Sequence, residues 1–506
     1  MRGVHSAVDE IRLGVFTEVA RLAYEGGDYS RIDLIPYKIV PGEVAQHRHD
    51  VFLERAIVQE RLRLACGLPA QSAEVCAPPS QDIEKAAAAD DKFFEEPLVN
   101  IITFACNACP PKRVWVTNAC QGCISHPCKA VCPKDAITVD KDHHSVIDQD
   151  KCIQCGRCVG QCPYHAITKI ERPCASACGV DAIESDELGR AKINYDKCVS
   201  CGMCLVNCPF AAIADKSQIL QIIRAMQRGE KVVACVAPAF VGQFGRHASP
   251  EKLKAAMRRL GFAGVEEVAV GADLCTIEEA HDFLNNVPDK LPFMGTSCCP
   301  AWSVMAKKLF PELKDCISMA LTPMVLTARM VKKAHPDARI CFIGPCAAKK
   351  LEANRKSVRS DVDFVLTFEE LAGMFAARDI RFEDLQAEPG DSMSDGTGMG
   401  RGFAVTGGVA AAVKEAISHI DPAREVPTEC GDGLRECRKL LLLARAGKRN
   451  GYLLEGMACP GGCVAGAGTI QPVRDAAVSV EQFKNAAQAQ SSTESPFLDQ
   501  LHLIEE

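Results

Sequence analysis

The sequence contains no block of lysine and arginine residues and no long apolar run. Its 506 residues include 58 basic and 65 acidic side chains, which gives a formal net charge of −7. Because a basic patch is the electrostatic mark of a nucleic-acid-binding protein, no nucleic-acid partner is expected. No segment is apolar for long enough to span a bilayer, so no direct membrane insertion is expected.

The first residues also lack the pattern of a secretory signal. Met1–Tyr24 contains acidic residues and no continuous apolar core. Cysteine, by contrast, is abundant, with 29 residues. Disulfide scaffolds are usually short secreted chains, whereas this chain is long. The thiols are therefore interpreted as metal ligands in a reducing, cytoplasmic compartment.

The chain changes character at three points, which divides it into four regions. Residues 1–100 are charged and predicted to be helical, with a solvated helix over 82–96. Residues 101–213 repeat a Cys-x-x-x-Ala-Ile pattern four times, which indicates an internal repeat. Residues 214–480 have α/β character, and 481–506 form a polar stretch that is predicted to be a tail.

The α/β region alternates apolar β-branched runs with helical stretches. Such alternation predicts an α/β domain with a mostly parallel sheet covered by helices. The predicted strands are Val232–Val236, Val265–Val270, Ile340–Ile343 and Val362–Leu366. The clearest predicted helices are Glu251–Leu260 and Met319–Ala334.

Three cysteine runs match or approach the spacing of bacterial ferredoxins. Runs beginning at Cys152 and Cys198 read C-x2-C-x2-C-x3-C-P, and a run at Cys120 has a longer middle gap. This spacing turns three thiolates toward one cubane, while the fourth reaches the neighbouring cluster. Structural zinc and disulfides are the alternatives, but zinc sites rarely use three such runs ending in Cys-Pro. The runs predict α+β ferredoxin-like iron–sulfur domains ahead of the α/β region.

Pairing the runs by this rule predicts a nested arrangement. The run at Cys198 lacks a partner half, which two separate cysteine pairs supply if a two-cluster unit is inserted between them. About four accessory [4Fe-4S] clusters result, and such a series moves single electrons. The first set is Cys120, Cys123, Cys128 and Cys162; the second is Cys152, Cys155, Cys158 and Cys132; the third is Cys106, Cys109, Cys174 and Cys208; the fourth is Cys198, Cys201, Cys204 and Cys178.

Three shorter cysteine motifs occur in the second half of the chain. They read TSCCPAW over Thr296–Trp302, GPCAAKK over Gly344–Lys350 and EGMACPGGC over Glu455–Cys463. Together they supply four thiolates from three loops, and one further thiol, Cys298, beside the first. Four thiolates from distant loops fit a buried iron–sulfur cluster, which leaves Cys298 free to do chemistry.

This trio of motifs, with the ferredoxin-like runs before it, closely resembles the signature of [FeFe]-hydrogenases over roughly residues 214–480. The resemblance implies that Cys299, Cys346, Cys459 and Cys463 bind a [4Fe-4S] cluster. It also implies a di-iron unit with CO, cyanide and an azadithiolate, bridged by the Cys463 thiolate. The complete cofactor is the H-cluster.

The same resemblance assigns residues around the di-iron unit. Lys349 is a donor to a cyanide, because a buried ammonium needs an anionic partner. Lys350, beside it, is expected to be an ordinary surface lysine. Pro238 and Ala239 resemble a loop that lines the di-iron unit, and Met457 of the third motif is assigned to the cofactor site.

A proton route is implied in the same way. Cys298 resembles the family's terminal proton donor, and a thiol can relay protons when its surroundings shift its pKa. The alternative role for Cys298 is that of a small buried hydrophobe. Glu279 and Ser318 resemble pathway residues, and Asp282 stands where the family usually carries glutamate. Aspartate is one methylene shorter, which leaves room for a water molecule.

Some positions depart from the family pattern. Gly344 stands where a methionine commonly precedes Pro345, and Met324 stands where a glutamine is common. These changes touch packing around the di-iron unit and suggest a divergent branch. The glycine-rich stretch over 396–402 lacks the spacing of a dinucleotide site, so no nicotinamide or flavin is expected.

The resemblance implies reversible conversion of 2 H⁺ and 2 e⁻ to H₂. Its implied partners are a ferredoxin or similar one-electron carrier, H₂ and protons, and H-cluster maturation proteins. One alternative is a hydrogen sensor with the same cofactor, against which the lack of an appended signalling domain counts. Another is a non-enzymatic iron–sulfur assembly factor of the same fold. Cys298 and Lys349 argue against the assembly factor, because that role needs neither a proton donor nor a cyanide partner.

Overall fold

The computed structural model describes residues 6–71, 74, 77–88, 96–355 and 360–504. Its N-terminal region is helical, with α1 (Ala7–Glu25), α2 (Ile35–Ile39), α3 (Val51–Ala65) and α4 (Ile83–Ala88). Of the predicted helix over 82–96, residues 89–95 lie outside the described residues. The rest is solvated on one face only, because Ile83, Ala86 and Ala87 are buried while Glu84, Lys85 and Ala88 are exposed.

The cysteine-rich region consists of short strands and helices. The elements are β1 (Val99–Ile101), β2 (Arg113–Val116), α5 (Pro127–Ala130), β3 (Ile137–Val139), β4 (Ser145–Ile147), α6 (Arg157–Gln161), β5 (Ile167–Ile170), α7 (Pro173–Ser176), β6 (Ile183–Ser185), β7 (Ala191–Ile193), α8 (Met203–Asn207) and β8 (Ile213–Asp215). Each of the strand pairs is antiparallel: β2 with β5, β3 with β4, β6 with β7, and β1 with β8.

The remainder of the chain alternates helices and strands. Its elements are α9 (Ile219–Gln227), β9 (Val232–Val236), α10 (Pro250–Leu260), β10 (Gly264–Glu267), α11 (Val268–Asn286), β11 (Met294–Gly295), α12 (Pro300–Leu309), α13 (Pro323–Ala334), β12 (Arg339–Gly344), α14 (Ala348–Asn354), β13 (Phe364–Thr367), α15 (Phe368–Ala377), α16 (Gly398–Gly402), α17 (Gly408–Ile420), β14 (Thr428–Asp432), α18 (Leu434–Arg445), β15 (Leu453–Met457), α19 (Val473–Asn485) and α20 (Leu501–Ile504).

These strands form two parallel sheets, which confirms the prediction of parallel sheets with helices. One has the strand order β10-β9-β12-β13 and the other β11-β15-β14. Strand β9 is buried along its whole length, as expected for a central parallel strand covered on both faces. Helices α1 and α9 pack together beside the four-stranded sheet, and α1 also packs on α15. The N-terminal helix therefore shares the core of the α/β region.

Three boundaries differ from the predictions. The run Val265–Val270 is a strand only to Glu267, and helix α11 begins at Val268, because a short apolar run does not by itself distinguish strand from buried helix. The helix predicted from Met319 begins at Pro323, whose ring and missing N–H suit the first helical turn. Residues predicted to form a tail pack on the domain: Ser491 and Ser492 are buried.

The two sheets place their loops toward a common site. The carboxyl ends of strands β9, β12 and β15 lead into loops that contain proline or cysteine. In parallel sheets, ligands bind at such carboxyl ends. Among the described helices, none combines the length and apolar character that crossing a membrane requires.

Candidate functional site

The cysteines of each motif of the second half follow the end of a parallel strand. Those of the first motif come after β11, that of the second after β12 and those of the third after β15. Because β12 belongs to the four-stranded sheet and the other two to the three-stranded sheet, both sheets contribute loops to the site. The motifs lie far apart in the sequence and close together in the fold.

These loops enclose a cavity of about 80 Å³. Five thiols of the three motifs line it, Cys298, Cys299, Cys346, Cys459 and Cys463, together with Cys201 of the cysteine-rich region. The remaining residues that the sequence assigned to the cofactor, Pro238, Ala239, Lys349 and Met457, line the same cavity. The structure thus brings all of these side chains together.

The donor set and the wall fit an iron–sulfur group. Burial raises the pKa of Cys346 to about 11 and that of Cys463 to about 12, so these thiols stay protonated near neutral pH unless a metal replaces the proton. At Gly462, a Cβ would lie 2.5 Å from the backbone nitrogen of Thr406, so this wall admits only glycine beside the thiols. Four sulfur donors in an apolar cavity match the ligands that iron–sulfur clusters use.

The structure also explains the unusual glycine in the second motif. A Cβ at Gly344 would lie 2.5 Å from the ring of Phe342. Phe342 lines the cavity together with the fully buried Met324. The Phe342 ring therefore occupies the space that a longer side chain at position 344 would need.

Lys349 presents a buried cation at the cavity wall. Its Nζ lies 2.7 Å from Oε2 of Glu352 and donates to the carbonyl oxygen of Cys298 at 3.2 Å. Burial opposes the charge, but the Glu352 carboxylate outweighs it, so the pKa of Lys349 is raised. Glu352 is fixed in turn by the Thr322 hydroxyl, which donates to Oε1 at 2.5 Å. The ammonium is therefore held charged and oriented.

The expectation that Lys350 lies on the surface is wrong. Its side chain is completely buried, and its Nζ donates to Asp215 at 2.7 Å, to Glu370 at 2.8 Å and to the Lys216 carbonyl at 2.7 Å. Two carboxylates compensate the burial of the ammonium. Lys350 thereby ties strand β8 of the cysteine-rich region to helix α15.

Glu279 is a buried carboxyl group beside the first motif. Its Oε1 accepts from the backbone N–H of Ser297 at 2.6 Å and from the Ser297 hydroxyl at 3.0 Å. Burial raises the pKa of Glu279 to about 8. Burial also raises the pKa of Cys298, with Glu279 the next contributor, so the thiol is neutral. A carboxyl group that titrates near neutral pH lies close to a neutral thiol.

Ser318 and Asp282 form a second pair. The Ser318 hydroxyl donates to Oδ2 of Asp282 at 3.1 Å and accepts from the backbone N–H of Ala320 at 3.1 Å. The Ala320 carbonyl lies 3.0 Å from the Ser297 hydroxyl, whose single proton can point either to this carbonyl or to Glu279. The backbone of Ala320 therefore lies between the two pairs. Asp282 is half-buried, one turn beyond Glu279 on α11.

Sequence reasoning gave no role to three residues around this site. Ser297 lies in the first motif, but its contact with Glu279 spans 18 positions. Cys275, one turn before Glu279, is fully buried, and burial raises the pKa of its thiol. Glu455, which opens the third motif, is fully buried and accepts from the N–H groups of Gly407 and Ala410 at 2.7 and 2.8 Å. The sequence signal that could have pointed to Glu455 is the presence of a carboxylate inside a cysteine motif.

The structure places some of the accessory cysteines around common pockets. The four cysteines of the second set line one small pocket, and the four cysteines of the third set line another. In the fourth set, the pKa of Cys204 is raised by burial and then by Cys201, Cys198 and Cys178. Cys128 and Cys162 of the first set lie in an apolar cluster that also contains Cys132, Cys152 and Cys158 of the second set, so this cluster does not separate the two sets. In the described part of the chain, no three metal-binding side chains are close enough to hold a single ion.

Two neighbouring sets lead toward the central cavity. Cys174 of the third set is among the groups that raise the pKa of Cys204 in the fourth set, after burial. Cys201 of the fourth set lines the central cavity, and Cys346 contributes to its raised pKa after burial. The third set, the fourth set and the cavity therefore adjoin one another in that order.

The glycine-rich stretch is not arranged to cradle a phosphate. The backbone N–H groups of Gly396 and Thr397 donate to the carboxylates of Glu267 and Asp273, at 3.1 and 3.0 Å. Arg401 pairs with Glu267 at 2.7 Å. Two buried carboxylates already occupy the N–H donors that an anion would use.

Comparison with known proteins identifies matching families for both regions. Residues 230–467 match the iron only hydrogenase large subunit, C-terminal domain. Residues 145–168 match a 4Fe-4S binding domain, and 168–219 match the LdpA Fe-S cluster-binding domain.

Three relatives illustrate the range of similar proteins. Iron hydrogenase 1 of Clostridium pasteurianum is 30% identical over 67% of this chain and 67% of its own length. The periplasmic [Fe] hydrogenase large subunit of Nitratidesulfovibrio vulgaris is 31% identical over 66% of this chain and 87% of its own. Cytosolic iron-sulfur assembly component 3 of Pongo abelii is 24% identical over 50% of this chain and 64% of its own.

Proposed function

Because this chain belongs to the iron-only hydrogenase family, we propose that it is an [FeFe]-hydrogenase that interconverts 2 H⁺ and 2 e⁻ with H₂. The observation that carries the proposal is the joint lining of one cavity by four ligand thiols, Cys298 and Lys349. A scaffold for a cluster alone requires only the four thiols. The additional thiol and the buried ammonium are suited to acid–base chemistry and to holding an anionic group.

An H-cluster would be held by Cys299, Cys346, Cys459 and Cys463, with Pro238, Ala239 and Met457 around it. When bound, it supplies the redox-active irons at which protons and electrons combine. Lys349 offers an N–H donor to an anionic ligand such as cyanide, while Glu352 keeps the ammonium charged. The apolar wall excludes water, which strengthens each of these electrostatic contacts.

The protein's own acid–base groups move the protons. Cys298 holds a proton on Sγ at the cavity wall, since burial keeps the thiol neutral. Glu279 can take up and release a proton near neutral pH, as a general acid or base must. Ser297 orients this carboxyl group through two hydrogen bonds to one oxygen. The Ser318–Asp282 pair lies toward the half-exposed side of α11 and serves as the outer part of the route.

The accessory cysteine sets provide ligands for the electron route. Each set would hold one [4Fe-4S] cluster, about four in all, and such clusters would carry single electrons between the central cavity and a ferredoxin or similar carrier. The adjoining third and fourth sets form the inner part of this relay. Maturation proteins insert the di-iron unit, and the protein works in the cytoplasm.

The match to an iron–sulfur assembly component supports a second candidate, a non-enzymatic assembly factor. The two candidates differ in the need for Cys298 and Lys349. The test is hydrogen evolution by the anaerobically matured full-length protein with a reduced soluble dye. Hydrogen evolution that depends on Cys298 supports the hydrogenase. Full iron content without hydrogen evolution supports the assembly factor or a slow hydrogen sensor.

A further inference from the structure

The two-cluster unit inserted in the cysteine-rich region forms a lobe of its own. We call residues 113–170 the nested lobe. Its first and last strands pair with each other, with Arg113 opposite Ile170, so the chain enters and leaves the lobe at one place. The lobe holds the whole first and second cysteine sets.

Hydrogen bonds from one buried arginine hold the base of the lobe in place. The side chain of Arg172, just beyond the lobe, is buried and donates to the Cys109 carbonyl at 2.8 and 3.1 Å. It also donates to the carbonyl oxygens of Glu184 and Gly189. Because Cys109 and the neighbouring Cys174 belong to the third set, the base of the lobe lies against the inner relay.

The surface of the lobe exposes large apolar side chains next to its cysteines. Ile124 follows Cys123 and is completely exposed, and Ile153 follows Cys152 and is 57% exposed. Tyr164, two residues after Cys162, is 53% exposed. Trp115, on the first strand, is also exposed, with the Arg113 guanidinium 4.7 Å from its ring centre. Exposed aromatic and apolar groups of this kind mark protein contact surfaces.

The clusters of the lobe would lie close beneath this surface. Cys155 of the second set is itself exposed, and the other ligands of the first and second sets, apart from Cys128 and Cys158, are only half-buried. Electron transfer between proteins slows steeply with distance, so a thinly covered cluster is a favourable point of contact. Cys201, by contrast, opens onto the central cavity.

The charge of the lobe differs in sign from that of the rest of the chain. Residues 113–170 contain seven basic and five acidic side chains, a net charge of +2, whereas the whole chain carries −7 and the remainder therefore −9. Lys134 and Arg157 are exposed and line the pocket of the second set. A basic lobe on an acidic protein attracts an acidic partner to that lobe and away from the rest of the surface.

We propose that the nested lobe is the docking surface for a small, acidic one-electron carrier protein, which contacts Ile124, Ile153 and Tyr164 and is steered by Lys134 and Arg157. The proposal rests on the proposed function, in which electrons that enter the lobe pass on to the central cavity. In each encounter the reduced carrier loses one electron and a cluster of the lobe gains it. Two such transfers supply the electrons of one H₂.

The test uses the full-length protein with all clusters and an acidic two-cluster ferredoxin as the probe. Binding is measured by titration calorimetry, and reduction of the clusters by the reduced ferredoxin is followed by stopped-flow absorbance. The double variant Lys134→Glu/Arg157→Glu should weaken binding and slow reduction by on the order of tenfold at low salt. Added salt should weaken binding to the wild type and have less effect on the variant.

Matched controls lie outside the lobe. Lys448→Glu reverses the charge of an exposed lysine outside the lobe and should leave binding unchanged. Ile124→Asp should weaken binding, whereas Val478→Asp, at a 53% exposed position on α19, should not. Iron content must match the wild type in every variant, since lost clusters would mimic lost docking.

The outcomes separate the two proposals. Wild-type binding by the double variant and by Ile124→Asp, or equal losses in both controls, would overturn docking on the lobe. If the wild type evolves no hydrogen with a dye while the lobe variants still bind ferredoxin weakly, the docking surface stands and the hydrogenase proposal fails.

Discussion

Ser297 donates two hydrogen bonds to the same oxygen of Glu279, one from its backbone N–H at 2.6 Å and one from its hydroxyl at 3.0 Å. The other carboxyl oxygen, Oε2, is buried without a hydrogen-bond partner in the described structure. One oxygen is therefore fixed, and the other is left to carry a proton. This arrangement holds an acid that titrates near neutral pH beside the Cys298 thiol.

Glu279→Gln should reduce hydrogen evolution by roughly 100- to 10,000-fold, because an amide keeps the shape but cannot relay a proton. Iron content should stay at the wild-type value. Glu278→Gln is the matched control, since Glu278 is the half-buried neighbour on the same helix. Glu278→Gln should keep most of the activity. Equal loss in both variants would show that Glu279 has no special part in proton transfer.

The free energy of unfolding should depend on pH through the ionisation of Glu279. Its pKa is raised from 4.5 to about 8 by burial, so the folded state holds this proton more tightly than the unfolded state. The associated stability is full below about pH 4.5 and is lost as pH rises through 8, by at most about 5 kcal/mol. Thermal midpoints of the wild type and Glu279→Gln, measured from pH 5 to 9, should therefore diverge with pH. Parallel curves would contradict a raised pKa at Glu279.

Cys298→Ser should leave the cofactor bound and nearly abolish turnover. The thiol lines the cavity but is surplus to the four ligand thiols, and a hydroxyl is a far weaker acid than a thiol. Hydrogen evolution and iron content are measured together. Activity close to that of the wild type would remove Cys298 from the mechanism.

Lys350→Met should destabilise the folded protein by about 3–5 kcal/mol, because it leaves the buried carboxylates of Asp215 and Glu370 without their cation. Unfolding by denaturant measures the loss. Lys448→Met, at an exposed position, should change stability by less than about 0.5 kcal/mol. A Lys350 variant as stable as this control would mean that the two carboxylates do not depend on Lys350.

The grouping of the accessory cysteines into ligand sets could be predicted from the sequence, because the spacing of cluster ligands is a local property. The runs around Cys152 and Cys198 constrain a short loop whatever surrounds it. The pairs at 106–109 and 174–178 are predicted to belong together because each supplies the part of the motif that the other lacks. The structure brings the third set together around one pocket. The parallel sheets were predictable for a similar reason, since buried strands such as β9 have a distinctive composition.

What the sequence did not reveal depends on contacts between distant segments. The burial of Lys350 depends on Asp215, 135 positions away, and on Glu370. The end of the chain packs on the domain because Ser492 donates to Asp273, 219 positions before it. The start of α11 at Val268 follows a run whose composition suits either a strand or a buried helix.

The central claim is that the cavity holds an H-cluster on which Cys298 and Lys349 act. Infrared spectroscopy of the anaerobically matured full-length protein tests it most directly, since CO and cyanide absorb where protein groups do not. We expect both sets of bands in the wild type, with the cyanide bands shifted in Lys349→Met and retained in Cys298→Ser. Iron-loaded protein that shows neither CO nor cyanide bands would contradict the account.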